Sequence, residues 1–180
     1  MLYHLTETVI EYHPNDLEEW KHGDKQKLLA GRKVPPEIHN QPEYHFGENF
    51  VLKHYEQKGW NGFTFYSFDS TLEKYKEGKR KIEELFPKKS LDLFRDARLR
   101  SKYAPDSGLP DLFLYNDDGL VMFIEVKKQG DKASEVQFER LAQIRAILKA
   151  EIGIVYLVEK NHSHTPKTYK LDLDSYTRVQ

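Results

Sequence analysis

The hydrophobic and polar positions of the chain are most regular between residues 109 and 158. Residues 109–115 and 120–126 are two runs rich in β-forming apolar side chains, and the turn from Asn116 to Gly119 (Asn-Asp-Asp-Gly) marks a hairpin between them. Beyond a polar break, Ala133, Val136, Leu141, Ile144, Ile147 and Leu148 fall on one stripe at about 100° per residue, which predicts an amphipathic helix ending near Glu151. Residues 152–158 are continuously apolar and predict a buried strand, reached from the hairpin by a parallel crossover through that helix.

Upstream, residues 43–58 predict a helix between Pro42 and Gly59, with Tyr44, Val51, Leu52 and Tyr55 on its apolar face. Residues 60–68 predict the first core strand. Two helical patterns follow, over 71–86 and 90–102, broken at Pro87; Leu72, Tyr75, Ile82 and Leu85 supply one buried face, and Leu91, Phe94 and Leu99 the other. In the first 42 residues, 2–12 read as an edge strand and 17–21 as a short helix, while Val34-Pro35-Pro36 and Gln41-Pro42 punctuate an irregular connection. Residues 168–173 read as a final edge strand, and His162 and His164 before it as members of a solvated loop. The expectation is one domain over 1–180: an extension (1–42), an α/β core with a mixed sheet (43–158) carrying a helical insertion (70–102), and a tail (159–180).

Three charges interrupt the apolar hairpin strands: Asp111, Glu125 and Lys127. A buried charge is costly to desolvate unless it is paired or binds a metal. A two-residue loop sets Asp111 opposite Ile124. A three-residue loop, Asp117-Asp118-Gly119 with Gly119 left-handed, sets Asp111 opposite Glu125, with Lys127 on the same face. The second register is predicted, and it makes a site for a hard divalent cation beside a positive charge. Two other polar groups fall within buried stripes: Glu48 on the first helix and Gln137 on the helix after the hairpin, the latter needing hydrogen-bond partners from the strand of Glu125 and Lys127.

Charge adds one local feature. The net charge is only −1, but residues 1–24 carry a net −5 and residues 74–102 a net +6. A phosphate-binding surface is local, so Lys88, Lys89, Arg95, Arg98 and Arg100, with Lys128, Lys132 and Arg140 after the hairpin, are candidate nucleic-acid contacts. The absence of cysteine excludes disulfides and thiolate metal sites. No segment resembles a signal peptide or a membrane span, so an intracellular protein with no membrane association is expected.

Pro110-Asp111 followed by Glu125-Val126-Lys127 resembles the PD-(D/E)XK nuclease superfamily. The continuation, from Lys128 through Gly130-Asp131 to Gln137, resembles its VRR-NUC branch. The resemblance implies a restriction-endonuclease-like core in the order helix, strand, β-hairpin, helix, strand, and a homodimeric DNA endonuclease acting on branched or junction DNA. It further implies Mg²⁺ or Mn²⁺ held by Asp111, Glu125, the Val126 carbonyl and Glu48, with Lys127 and Gln137 completing the catalytic set. Two departures bear on substrate choice: Arg140 stands where relatives often carry tryptophan, and the helical insertion before the hairpin is read as specific to this protein. A non-catalytic nucleic-acid-binding module, or a protein in which the triad is only an ion pair, are the alternatives.

Overall fold

The hairpin is the centre of the fold. In the computed structural model, which describes residues 1–33 and 41–177, β4 (Leu112–Asn116) and β5 (Val121–Lys127) pair antiparallel from Tyr115↔Val121 to Leu112↔Ile124. The Asn116 amide donates to the Leu120 carbonyl at 3.1 Å, the Gly119 amide to the Asn116 carbonyl at 3.1 Å, and Gly119 has φ +78°. This is the three-residue loop, and Asp111 therefore stands one residue before the ladder at the position facing Glu125.

Helix α6 (Glu135–Gln143) continues through a π turn over Ile144–Leu148 and ends at Lys149, whose left-handed φ of +61° closes it. The chain returns as β6 (Glu151–Glu159), parallel to β5, as the crossover required. Strand β3 (Trp60–Phe63) pairs antiparallel with β4. The N-terminal segment is two strands rather than one: β1 (Leu2–Thr6) pairs with β7 (Thr168–Asp172) in a separate two-stranded sheet, whereas β2 (Thr8–Tyr12) is a parallel edge on β6. The main sheet thus has the order β2-β6-β5-β4-β3.

The split falls at Glu7, a buried carboxylate that accepts from the Lys167 amide (2.9 Å) and the Tyr169 hydroxyl (2.7 Å) and pairs with His164 (2.6 Å). An acid inside an apolar run must find partners, and these lie between the two sheets. His164 is consequently not a solvated loop residue; its ring also stacks on Tyr156 at 3.5 Å. His162 is exposed, as expected for a loop.

Side chains of β4 and β5 alternate between two cores. Phe113 and Phe123 pack with Ile82, Phe86 and Phe94 of the helical insertion and with Leu141 and Ile144 of the α6 segment, while Leu112, Leu114, Ile124 and Val126 pack with Val51 and Leu52. The last two belong to α3 (Phe46–Glu56), which starts later than the sequence pattern predicts, leaving Tyr44 outside the helix and exposed. The insertion forms α4 (Lys76–Leu85) and α5 (Lys88–Leu99), broken at Pro87 as expected, but Leu72 and Leu99 are exposed rather than core. Around these stand α1 (Pro14–His22), α2 (Gln26–Leu29) and α7 (Asp174–Thr177). The Val34-Pro35-Pro36 connection lies outside the described residues.

Strand β3 stops at Phe63, five residues short of its predicted end, because α4 crosses over residues 65 and 66. Gly78 makes that crossing: a Cβ there would lie 2.7 Å from the Tyr66 Cβ and 2.8 Å from the Phe65 carbonyl oxygen. Gly78→Ala should therefore destabilise the protein by about 2 kcal/mol through overpacking, measured as a shift of the urea midpoint at unchanged slope.

Candidate active site

The register of the hairpin concentrates charge at one end of the sheet. Glu125 is 2% exposed and Lys127 8%. The Lys127 ammonium donates to Glu125 Oε1 at 2.7 Å, and the Gln137 amide donates to the same oxygen. The other oxygen, Glu125 Oε2, is buried with no hydrogen-bond partner. Asp111 Oδ2 accepts from the Val126 amide at 2.8 Å, which ties the loop before β4 to β5. Gln137 thus meets the expected strand, at Glu125 rather than Lys127.

Gln137 is aimed by its own helix cap. Ser134 is the N-cap of α6; its amide donates to Gln137 Oε1 at 2.9 Å, and its hydroxyl accepts from the Gln137 amide at 3.4 Å. With Oε1 engaged, the side-chain NH₂ points to Glu125. The Ser-x-x-Gln spacing of a capping box was the sequence signal for Ser134. Tyr66 had no comparable signal: its hydroxyl donates to the Pro110 carbonyl at 2.6 Å, fixing the residue before Asp111. Burial, and the carboxyl groups of Asp111 and Glu125, push that phenol far up, so it remains a donor.

Burial also raises both central carboxyl groups. Glu125 is pushed up to about 8 by desolvation and the charge of Asp111, against the pull of Lys127. Asp111 is pushed up to about 6 by desolvation and the charge of Glu48, against the Val126 amide and Lys127. Glu48 behaves oppositely. Burial works to raise it, but hydrogen bonds from His45 and from its own amide at the start of α3 outweigh this and hold it low. Its Oε1 lies 3.5 Å from His45 Nδ1. His45 itself escaped the sequence reading; it takes a left-handed φ of +62° just ahead of α3.

Glu48 and Asp111 line one cavity of about 490 Å³, together with His45, Tyr66 and the segments 64–67 and 109–111. Among the described residues, no group of three or more His, Asp or Glu side chains is arranged to hold a metal ion as it stands. The donor chemistry nevertheless fits a hard divalent cation: Asp111, Glu125 and Glu48 offer carboxyl oxygens, burial raises the first two, and Glu125 Oε2 is left without a partner.

The candidate nucleic-acid contacts divide. Lys128 and Lys132 are exposed beyond β5, and Lys88, Lys89, Arg95 and Arg100 are exposed on or just after α5, with Lys88 paired to Asp92 at 2.6 Å and Arg95 to Asp92 at 3.5 Å. Arg98 and Arg140 are not surface groups at all, being 1% and 0% exposed. Arg98 pairs with Asp69 and donates to the Pro105 carbonyl at 3.3 Å; Arg140 donates to the carbonyls of Ser107 (3.1 Å) and Ala104 (3.2 Å). Both therefore hold the loop that delivers the chain to Asp111. Their positions carried the signal: Arg98 lies four residues after Phe94, and Arg140 lies four after Val136 and four before Ile144, inside the same stripes that define the buried faces.

A mixed α/β sheet whose central hairpin brings Asp111, Glu125 and Lys127 together is the arrangement of a PD-(D/E)XK nuclease core. Residues 49–152 match the family model of the VRR-NUC domain, and the chain belongs to that family of nucleases. The match includes Asp111, Glu125, Lys127 and Gln137 and begins one residue after Glu48. Among solved structures the chain is similar to paFAN1, in its crystal structure bound to 2nt 5′ flap DNA with a gap, at 15% identity and a TM-score of 0.40, over 82% of this chain and 26% of that one. The chain thus spans about a quarter of that protein. No curated protein matches it. Among the described residues, no helix is long and apolar enough to cross a membrane.

The raised carboxyl groups predict a pH dependence. The folded state keeps protons that the unfolded chain has released above pH ~4. Stability is therefore fully present below that range and falls as pH rises toward 8. Melts in chelator should show a loss of about 5 kcal/mol between pH 5 and pH 8.5, and Asp111→Asn should flatten the decline.

Proposed function

We propose that the chain is a metal-dependent DNA endonuclease that hydrolyses phosphodiester bonds, selective for branched or junction DNA. The observation that carries this reading is the buried Asp111–Glu125–Lys127 cluster with an unpartnered Glu125 oxygen, beside a cavity lined by Asp111 and Glu48, in a chain of a nuclease family. A buried ion pair and its neighbouring acid contribute little net stability, so their presence is better accounted for by chemistry than by folding.

Asp111, Glu125, the Val126 carbonyl and Glu48 are the groups that would hold Mg²⁺ or Mn²⁺. Such an ion, when bound, supplies a Lewis acid for the phosphoryl oxygen and lowers the pKa of attacking water. The remaining work belongs to the chain. Lys127, its ammonium fixed against Glu125, presents a positive charge where negative charge develops on the phosphoryl group. Gln137, set by its capping box, holds Glu125 in orientation from behind. Glu48, kept ionised by His45, gives the cavity a standing negative charge. Exposed Lys128, Lys132, Arg95 and Arg100 bind the phosphates of the DNA, with Lys88 and Lys89 about 15 Å back along α5 from Arg98. The active unit is a homodimer, which sedimentation velocity checks directly, and it acts inside the cell.

Labelled four-way junction, splayed-arm, flap and linear duplex DNAs, incubated with Mg²⁺ or Mn²⁺, test the reading. Wild type should cut the branched forms preferentially, and Lys127→Ala and Asp111→Ala should each slow cleavage by at least 10²-fold while Asp111→Ala still binds DNA in Ca²⁺. Cleavage by Asp111→Ala at the wild-type rate sinks the assignment. In a metal titration, Mn²⁺ should raise the melting temperature of wild type, more at pH 8 than at pH 6 because the protons it displaces are already leaving. An unresponsive melt would favour the plain ion pair, and binding without cleavage under every metal would favour a non-catalytic module.

A further inference from the structure

Part of the wall of the cavity that Glu48 and Asp111 line is made of rings. Tyr44 and His45 lie with centroids 4.1 Å apart, His45 meets Phe65 edge-on at 5.3 Å, and Phe65 meets Tyr75 at 6.4 Å. All four line the cavity, with Leu72 at its rim. Packing of the core does not account for this group: Tyr44 is 43% exposed and Leu72 59%, and Tyr44 is the one aromatic among the exposed large hydrophobic side chains of the described residues. No lysine or arginine is among the residues lining the cavity, although the Lys74 ammonium lies over the Phe65 and Tyr75 rings at 5.6 and 5.1 Å. The rings are tilted against one another, at 58°, 67° and 50°, so a flat ring would stack on one face at a time, and Tyr44, the most exposed of the four, offers the freest one. At about 490 Å³ the cavity has the size of a small-molecule site.

We infer that this aromatic wall is a stacking shelf for an unpaired nucleobase of the strand being cut, next to the scissile phosphodiester. The inference rests on the nuclease reading above and names the feature of the substrate that the site selects. Any phosphodiester that reaches Asp111 and Glu48 carries its own nucleoside into the same cavity. In a duplex both faces of that base are covered by its neighbours, whereas an unpaired or splayed nucleotide has a face free to stack. Stacking on one aromatic platform is sequence-tolerant and contributes through the π face, so it discriminates strand structure rather than base identity. It also adds no counterion release, which separates it from the basic surface.

The test uses the full chain with Ca²⁺ in place of the activating metal. The DNAs are a splayed-arm substrate carrying 2-aminopurine at the first unpaired nucleotide and a blunt duplex of equal length. Wild type should quench the 2-aminopurine. Tyr44→Ala, at an exposed position that a melt can confirm is folded, should lose the quench and weaken splayed-arm binding roughly tenfold. Duplex binding and the salt dependence of both affinities should be unchanged, and Tyr44→Trp should restore the wild-type behaviour. Phe65→Leu should act in the same direction. A Tyr44→Ala variant that binds both DNAs like wild type, or loses both equally, overturns the shelf. Cleavage in Mn²⁺ separates the two readings: an enzyme that cuts duplex and branched DNA alike, indifferent to Tyr44→Ala, keeps the nuclease and loses the shelf. A wild type that stacks the base but cuts nothing keeps the shelf and loses the nuclease, and one that binds neither DNA loses both.

Discussion

Two carboxyl groups facing each other at the buried end of a β-hairpin are the constraint on which the structure turns. Taking Asp111 and Glu125 out of water disfavours their ionised forms, and a neighbouring carboxylate adds to this, Asp111 for Glu125 and Glu48 for Asp111, which is why both are pushed upward. Each neighbouring device lessens that cost. Lys127 and Gln137 converge on one oxygen of Glu125, and the Val126 amide takes one of Asp111. A chain selected only for stability would place apolar side chains at these positions. Retaining the acids makes sense where their unmet demand for positive charge has a use.

The same constraint explains two arginines that do no work at the surface. Asp111 lies outside the β4 ladder and is tied to the sheet through its side chain, which accepts from the Val126 amide, so the ladder does not fix the loop before it. The preceding loop is held from below instead, by Arg98 on Pro105 and by Arg140 on Ala104 and Ser107, while Tyr66 grips Pro110. Guanidinium groups suit this task because one planar fork can serve several carbonyls at once. Full burial of two arginines is costly unless their donors find acceptors; Asp69 and the carbonyls of the irregular loop supply these, with Arg98 Nε left over.

Much of this was legible because it depends on short-range rules. The hairpin register follows from Asn116 to Gly119, since one residue more or less in the loop moves Asp111 to the other face, and the α6 crossover follows from an apolar stripe and a buried strand. What was not legible depends on contacts distant in sequence. The break between β1 and β2 reflects partners for Glu7 some 160 residues away, and the early end of β3 reflects the approach of α4 at Gly78. Arg98 and Arg140 are a different case. Their helical spacing placed them on buried faces, but the positive charge of the segment suggested a surface role; of the two signals, periodicity was the more informative.

The charge of the site also decides where DNA affinity must come from. The cavity is lined by Glu48, Asp111 and Asp106 and by no lysine or arginine, so by itself it repels a polyanion. Attraction has to be supplied from outside it, and with Arg98 and Arg140 committed to the loop, exposed bases near the site in the chain are Lys128 and Lys132 after β5 and Arg95, Arg100 and Lys102 at and beyond the end of α5. Those contacts would be salt-dependent and indifferent to DNA structure. Discrimination between strand structures then falls to the cavity, whose lining includes Thr64, Ser67 and Ser70 as well as the rings of Tyr44, His45, Phe65 and Tyr75; of these, the rings are the groups that respond to an uncovered base. Affinity, selectivity and chemistry would in this way rest on three separate sets of residues, and each could be weakened without removing the other two.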